Sequence, residues 1–246
     1  MNRAGFSAAL LVCLLLGIWE GAVHLWQIPV FILPPPSRIG WAAAAEAPLI
    51  LPHAAVTGAE ICLGVLLALA TAVPLAIAMF AKPVLEKALS PFLVASQAIP
   101  VFALAPLLVI WLGYGMASKV FMAWIIIFFP ITVSLLQGLK SCDPEYRTLF
   151  TLMGSPFLKT LALLYWPWAL PQFFAGLRVG VSVATIGAVI GEWVGAQQGL
   201  GFLMIQSNAR LQTPLVFAAI LWLAAMGLIL WALVGMLEKK IITWKS

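Results

Sequence analysis

Three acidic residues, Glu20, Glu60 and Glu192, stand in or beside long apolar runs. An ionisable group at such a position is expensive to bury and calls for a use. Glu192 lies in the segment Gly191-Glu192-Trp193-Val194-Gly195-Ala196. There it would hydrogen-bond a passing polar substrate, hold a gate, or fasten a contact with a neighbouring helix. Glu20 and Glu60 are read as structural. Charge is otherwise concentrated in one place, where Lys140, Asp143, Glu145, Arg147 and Lys159 fall within the stretch 140–171, KSCDPEYRTLFTLMGSPFLKTLALLYWPWALP. The stretch is too polar at its start for lipid and too apolar later for a flexible linker. It suits an amphipathic pair of helices at a membrane surface that offers one face to a protein partner.

Most other chemistry is missing. No phosphate-binding loop ending in Gly-Lys-Ser/Thr occurs, nor a His-Glu-x-x-His or Gly-x-Ser-x-Gly motif. Cys13, Cys62 and Cys142 are far apart, and His24 and His53 are isolated, so neither a metal site nor a disulfide is expected. Nothing nominates a nucleophile or a catalytic base. No catalytic residue, cofactor or metal is therefore assigned, and an enzyme embedded in the membrane stays open as a reading without a recognisable site. The net charge of +5 has no basic cluster longer than Lys239-Lys240 behind it, which argues against nucleic acid.

The elements that must position these residues are membrane helices. The 246 residues are 64% hydrophobic and 9% charged, with a mean hydropathy of +1.10; a soluble domain carries roughly 25% charge. Apolar runs predict spans at about 6–26 (uncleaved), 58–80, 92–112, 119–138, 174–196 and 214–237. Between the first two, three consecutive prolines, Pro34 to Pro36, impose an extended segment. A short helix follows at about 39–47, which Pro48 and Pro52 are expected to end. A short loop is expected at 81–91. The third span holds Pro100 and Pro106, and is either a broken helix lining a passage or a kinked packing helix. In the fifth span Gly187, Gly191 and Gly195 are four apart, so they share a face that another helix can approach closely.

Basic residues orient this topology. Arg3, Lys82, Lys87, Lys140, Arg147, Lys159, Arg178, Lys239, Lys240 and Lys245 fall on one side; Arg38, Lys119 and Arg210 fall on the other. Both termini and the 140–171 stretch are expected in the cytoplasm. The fold class is thus an all-α membrane protein, a single domain over 1–246, with six transmembrane helices and a cytoplasmic segment between the fourth and fifth.

These pieces together resemble the permease subunit of bacterial ATP-binding-cassette importers, in the branch serving nitrate, sulfonates, taurine and pyrimidine vitamin precursors. The resemblance covers nearly the whole chain. It rests on Leu33-Pro34-Pro35-Pro36-Ser37, on Ile99-Pro100 and Pro106-Leu107 followed by Trp111-Leu112-Gly113, on the spacing of Asp143-Pro144, Gly154 and Pro167, and on Gly199-Leu200-Gly201. One departure is clear: Thr148-Leu149-Phe150 stands where the coupling motif usually has Glu-Ala-Ala, and Trp166 replaces the Leu before its proline.

The resemblance implies that 140–171 is the coupling segment for cytoplasmic ATP-binding subunits. Its contact residues would be Asp143, Glu145, Arg147, Phe150, Leu152, Met153, Gly154, Phe157 and Pro167, with Glu145 or Arg147 substituting for the missing glutamate. It further implies an inner-membrane location, an extracytoplasmic substrate-binding protein, a second permease subunit forming a homodimer, and ATP hydrolysis on the partner. A translocation path would involve Pro100, Pro106, Glu192 and Trp193. The segment 191–196 is similar to the hydroxymethylpyrimidine (thiamine-precursor) members, with sulfonate, taurine or nitrate as alternatives. The rival of another class is a stand-alone secondary transporter, which lacks visible inverted repeats here.

Overall fold

The computed structural model describes residues 3–244, without the side chains of residues 3–6 and 8–9. Lys245 and the side chain of Arg3, both used above to orient the chain, lie outside what is described. The described chain is helical throughout: α1 (Arg3–Leu25), α2 (Pro36–Ala45), α3 (Ala47–Ala81), α4 (Pro83–Ala98), α5 (Val101–Leu112), α6 (Met116–Lys140), α7 (Pro144–Leu152), α8 (Phe157–Thr160), α9 (Trp166–Gly195), α10 (Leu200–Ala209) and α11 (Thr213–Ile241). A π turn, Leu161–Tyr165, joins α8 to α9.

Four helical stretches are long and apolar enough to cross a bilayer: Ala47–Ala81, Met116–Lys140, Phe157–Gly195 and Thr213–Ile241. The pair α4 and α5 makes a fifth candidate, bent by 99° at Ile99-Pro100. Pro100 has no N–H to continue the ladder, so the third expected span is broken there, while Pro106 sits inside α5. In α1 the described apolar stretch, Leu10–Leu25, is shorter than the roughly 20 residues a bilayer core requires.

Three boundaries differ from expectation. Pro48 and Pro52 do not end a helix; α3 starts at Ala47 and runs through both. Pro48 falls in the first turn, where a missing N–H leaves nothing unpaired. The expected loop at 81–91 is helical from Pro83, which occupies the first position of α4. The fifth span also begins far earlier than 174, because the π turn carries the helix from Phe157 onward past Pro167. A wider turn just before a proline is one of the few ways a helix tolerates the lost donor.

The chain separates into two compact units, Met1–Val56 with Gln197–Ala224, and Thr57–Ala196 with Ala225–Ser246. In the first unit, Glu20 explains its own presence. Its Oε2 accepts from Ser37 N–H at 3.0 Å and its Oε1 accepts from Ser37 Oγ at 2.6 Å, so α1 caps the N-terminus of α2. Pro35 at that end offers no side-chain cap, and a carboxylate suits the free donors there. Trp19 meets Phe217 edge-on at 5.8 Å, and Thr213 Oγ1 donates to Phe31 O at 2.6 Å. Gly199 has φ +117°, a region a β-carbon resists, and its N–H donates to His53 Nδ1 at 3.0 Å.

The second unit is built on α6 packed against α9. Ile127, Ile131 and Leu135 of α6 and Ala184 and Ala188 of α9 are fully buried. The glycine face read from the sequence is the contact. A β-carbon on Gly187 would lie 2.8 Å from Ala123 Cα, and one on Gly191 would lie 3.1 Å from Lys119 Cα. Gly195 faces Tyr114 in the same way. Arg178 of α9 pairs with Glu238 of α11 at 2.5 Å and lies over the Trp231 ring at 5.1 Å.

Candidate functional site

Helix α7 is defined at both ends by its own residues. Asp143 Oδ1 accepts from Glu145 N–H at 2.9 Å, and Pro144 fills the first helical position, where its missing donor is harmless. At the other end Gly154 adopts φ +64°. Ser155 N–H reaches Phe150 O at 3.1 Å and Gly154 N–H reaches Thr151 O at 3.0 Å. This is the double bond pattern of a glycine-terminated helix, and it requires a residue that accepts positive φ. Asp143 and Gly154 thus fix the two ends of α7.

Arg147 is turned inward. Its Nη2 donates to Lys140 O, and its guanidinium lies 5.8 Å from the centre of the Tyr165 ring. The helix is thereby tied to the end of α6 and to the π turn. Burial pushes the Cys142 thiol up from its ordinary value, with Arg147 beside it acting the other way. Trp168 Nε1 donates to Ser141 O at 3.1 Å, and its ring lies 5.8 Å from Tyr146.

What remains outward is apolar. Leu152 is 81% exposed, Met153 71% and Leu158 75%, with Leu149 and Tyr146 half exposed. Phe150 is partly buried, and Phe157 is held from one side by Phe80 at 6.4 Å. Glu145 is exposed. Pro167 lies inside the second position of α9 and lines a cavity of about 460 Å³ with Ser141, Trp168, Pro171, Gln172 and Trp244. The segment therefore brings Asp143, Glu145, Met153 and Gly154 to one short helix and its cap, while Arg147 and Pro167 serve its attachment. Leu149, Leu158 and Tyr146 were not singled out from the sequence; the three-residue spacing of Tyr146, Leu149 and Leu152 along α7 is the signal that would have found the first and last of these, while Leu158 lies on α8.

The residues assigned to a path lie on two helices, Pro100 and Pro106 at and in α5, Glu192 and Trp193 in α9. Pro100 and Pro106 are exposed, while Ala105, Leu108 and Val109 of α5 are buried. Trp193 is 52% exposed. Glu192 is 1% exposed and accepts from Thr57 Oγ1 of α3 at 2.5 Å. Glu60, one turn along α3, is also buried. Lys119, buried at the start of α6, donates to Tyr114 O, to Gly115 O at 2.9 Å and to Gly195 O at 2.9 Å. Among the described residues no grouping of His, Cys, Asp and Glu could hold a metal ion.

Comparison with known proteins places this arrangement in a family. Residues 61–243 match the sequence profile of the binding-protein-dependent transport system inner membrane component. The chain is 45% identical to a probable ABC transporter permease protein of Haemophilus influenzae, over 90% of this chain and 91% of that one. It is 38% identical to a formylaminopyrimidine transport permease protein of Halalkalibacterium halodurans, over 95% and 93%. It is also 38% identical to a riboflavin transport system permease protein of Chloroflexus aurantiacus, over 95% and 88%.

Proposed function

The chain belongs to the binding-protein-dependent transport inner-membrane component family, and from that premise we propose how its parts divide the work. It is a permease subunit of an ATP-binding-cassette importer, a multi-pass inner-membrane protein whose ATP hydrolysis resides in a partner subunit. The segment 140–171 is its coupling element, and the single observation that carries this is the exposed apolar ridge on a helix capped at both ends. Leu149, Leu152, Met153 and Leu158 would enter a groove on the cytoplasmic ATPase, as apolar anchors of short helices do. Asp143 and Gly154 set the helix, Arg147 and Pro167 seat it, and Glu145 and Phe150 lie at the rim of the contact, with Phe157 at its base.

Alternating access is the mechanism that membership of the family implies. ATP binding can shift the permease only through its differential affinity for two conformations, and the ridge is where that difference is passed on. We take α1 as a sixth span, all of 1–246 as one permease domain, and both termini as cytoplasmic. Helix α4 buries none of its residues within this chain, and Phe92, Val94 and Phe102 are exposed around its junction with α5. A second copy of the permease would cover that surface, and the break at Pro100, with Pro106 and Trp193, would border the path, with Glu192 behind it.

For substrate the reading is a pyrimidine precursor of thiamine. The relative named for formylaminopyrimidine supports it, as do an exposed Trp193 able to stack on a flat ring and the lack of a dense cationic lining. The relative named for riboflavin supports the same ligand class, a flat nitrogen heterocycle. Sulfonate, taurine or nitrate is the alternative. The test of coupling is to co-express the chain with its genomic ATPase and binding protein. Leu152→Asp and Met153→Asp should abolish ATPase co-purification, while Glu145→Gln should leave most of it. Unchanged co-purification in both aspartate variants would overturn the coupling reading. Uptake of labelled aminopyrimidine, riboflavin and taurine by the same cells separates the substrates.

A further inference from the structure

Lys140 is the last residue of α6 and is held at both its ends. Its backbone carbonyl accepts from Arg147 Nη2 of α7, and its Nζ donates to Glu86 Oε1 of α4 at 2.7 Å. We propose that Lys140, through Glu86, latches α4 against α6, and that release of this pair lets α4 swing about the break at Pro100 and open the path at the end nearest α7.

The two arms of the broken pair are fastened very differently. In α5, Ala105 and Leu108 are buried together with Met122 of α6, so that arm is part of the packed interior. In α4 nothing is buried, and Leu85, Leu89 and Leu93 rest on the core from one face only. The other side-chain hydrogen bonds of α4, Ser96 to Leu93 O and Gln97 to Ser96 Oγ, stay within it. The Glu86 contact is therefore, among the described residues, the polar tie from α4 to another helix. Between the arms the chain bends by 99° at Ile99-Pro100, where proline supplies no N–H to carry the helical ladder across. A fixed arm, a lightly held arm and an interrupted ladder between them are the parts of a hinge.

There is also room for movement. A cavity of about 290 Å³ adjoins the pair, with Glu86 and Ser90 of α4 on one side and Val133, Gln137 and Lys140 of α6 on the other. Opening the pair would widen this cleft and expose a wall that already carries a carboxylate, a hydroxyl, an amide and an ammonium. Lys140 and Glu86 are thus positioning residues for the path. What releases them rests on the coupling reading of 140–171: Arg147 places α7 on the carbonyl of the same residue whose ammonium holds α4. That carbonyl belongs to the backbone, so changing the Lys140 side chain leaves the hold of α7 in place.

The experiment uses the full chain in inside-out membrane vesicles, lacking Cys13, Cys62 and Cys142 and carrying Ser90→Cys as a probe of the cleft. Glu86→Gln and Lys140→Met should each speed alkylation of the probe about fivefold, the most that a partly exposed pair can hold between two conformations. The charge-reversed pair, Glu86→Lys with Lys140→Glu, should return the slow rate. Side-chain exposures of 51% for Lys140 and 26% for Glu86 make the pair a small part of the stability, so the unfolding midpoint should stay at that of the parent. Unchanged alkylation in both single variants, or a reversed pair as fast as they are, overturns the latch. Faster alkylation with a lowered midpoint overturns it too, since that is general loosening. With the ATPase assembled, adding ATP should change the rate in the parent and not in Leu152→Asp; failure of this arm alone removes the coupling reading and leaves the latch standing.

Discussion

Replacing Gly187 with alanine should destabilise the protein, even though alanine is the better helix former. Glycine in a helix interior costs about 0.8–1.0 kcal/mol relative to alanine, so propensity alone favours the change. The added methyl would lie 2.8 Å from Ala123 Cα and 3.1 Å from Met122 O, both backbone atoms of α6. To reach the 3.4 Å of ordinary contact, Ala123 must retreat by about 0.6 Å. It has little freedom to do so, because Met122, Ala123 and Ile127 on that helix are fully buried. Overpacking of this kind costs about 1–3 kcal/mol, so the net loss should be about 1 kcal/mol. Gly176→Ala should behave alike, its methyl lying 2.5 Å from Ser134 Cβ and 2.7 Å from Pro130 O. Eleven residues separate the two glycines, roughly 16 Å along the helix, so the double variant should lose the sum. Gly21→Ala is the control, since nothing lies within 4 Å of its new methyl, and it should be neutral or slightly stabilised. The assay is unfolding in mixed detergent micelles followed by tryptophan fluorescence. Gly187→Ala and Gly176→Ala at or above wild-type stability would refute the close-packing account of α6 and α9.

Asp143→Ala should uncap α7 and cost about 1 kcal/mol there, seen as roughly fivefold faster amide exchange across its first turn, with no change in α6. Arg178→Met should strand Glu238 and uncover Trp231; both partners of the ion pair are about a quarter exposed, so the loss is about 1 kcal/mol, checked by the unfolding midpoint and a shift in tryptophan emission. Cys142, in a background lacking Cys13 and Cys62, should alkylate slowly at neutral pH and speed up only above the ordinary thiol range. The thiolate is the reactive form and burial disfavours it. Arg147→Met, by removing the cation that counters burial, should slow the reaction further, provided α7 stays seated; an unchanged rate would show that Arg147 has no hold on the thiol.

The helical content and the glycine face of α9 could be read from the sequence because each is local, whereas at Pro100 a broken and a kinked helix were both open. Spacing by four places Gly187, Gly191 and Gly195 on one side of any helix, whatever packs there. The cap of α7 was legible for the same reason, as Asp143-Pro144 and Gly154 are start and stop signals close in sequence. Helix boundaries were less legible where a proline meets a compensating turn. Pro48 is harmless in a first turn, and the π turn at Leu161–Tyr165 has no signature that distinguishes it from ordinary helix. Nothing short-range pointed from Glu192 to its partners either. Thr57 lies 135 residues away, and Lys119 is 76 residues from the carbonyl of Gly195.

That distance changes what the intramembrane acids mean. A lone glutamate near the end of an apolar run invites a role toward a substrate, because its cost in lipid is evident and its partners are not. Once Thr57 is seen to donate to it, Glu192 has a partner inside the chain that the sequence did not show. Glu20 follows the same logic at the other end of the sequence, its charge offset by the free donors of α2. Arg147 repeats it in α7, where its guanidinium meets Lys140 O and Tyr165 within the chain. Charges in this chain are few, and those at these three sites hold helices to helices. On the proposed reading the surfaces offered to substrate and ATPase are mostly apolar, so affinity at Leu152, Met153 and Trp193 would come from shape and burial.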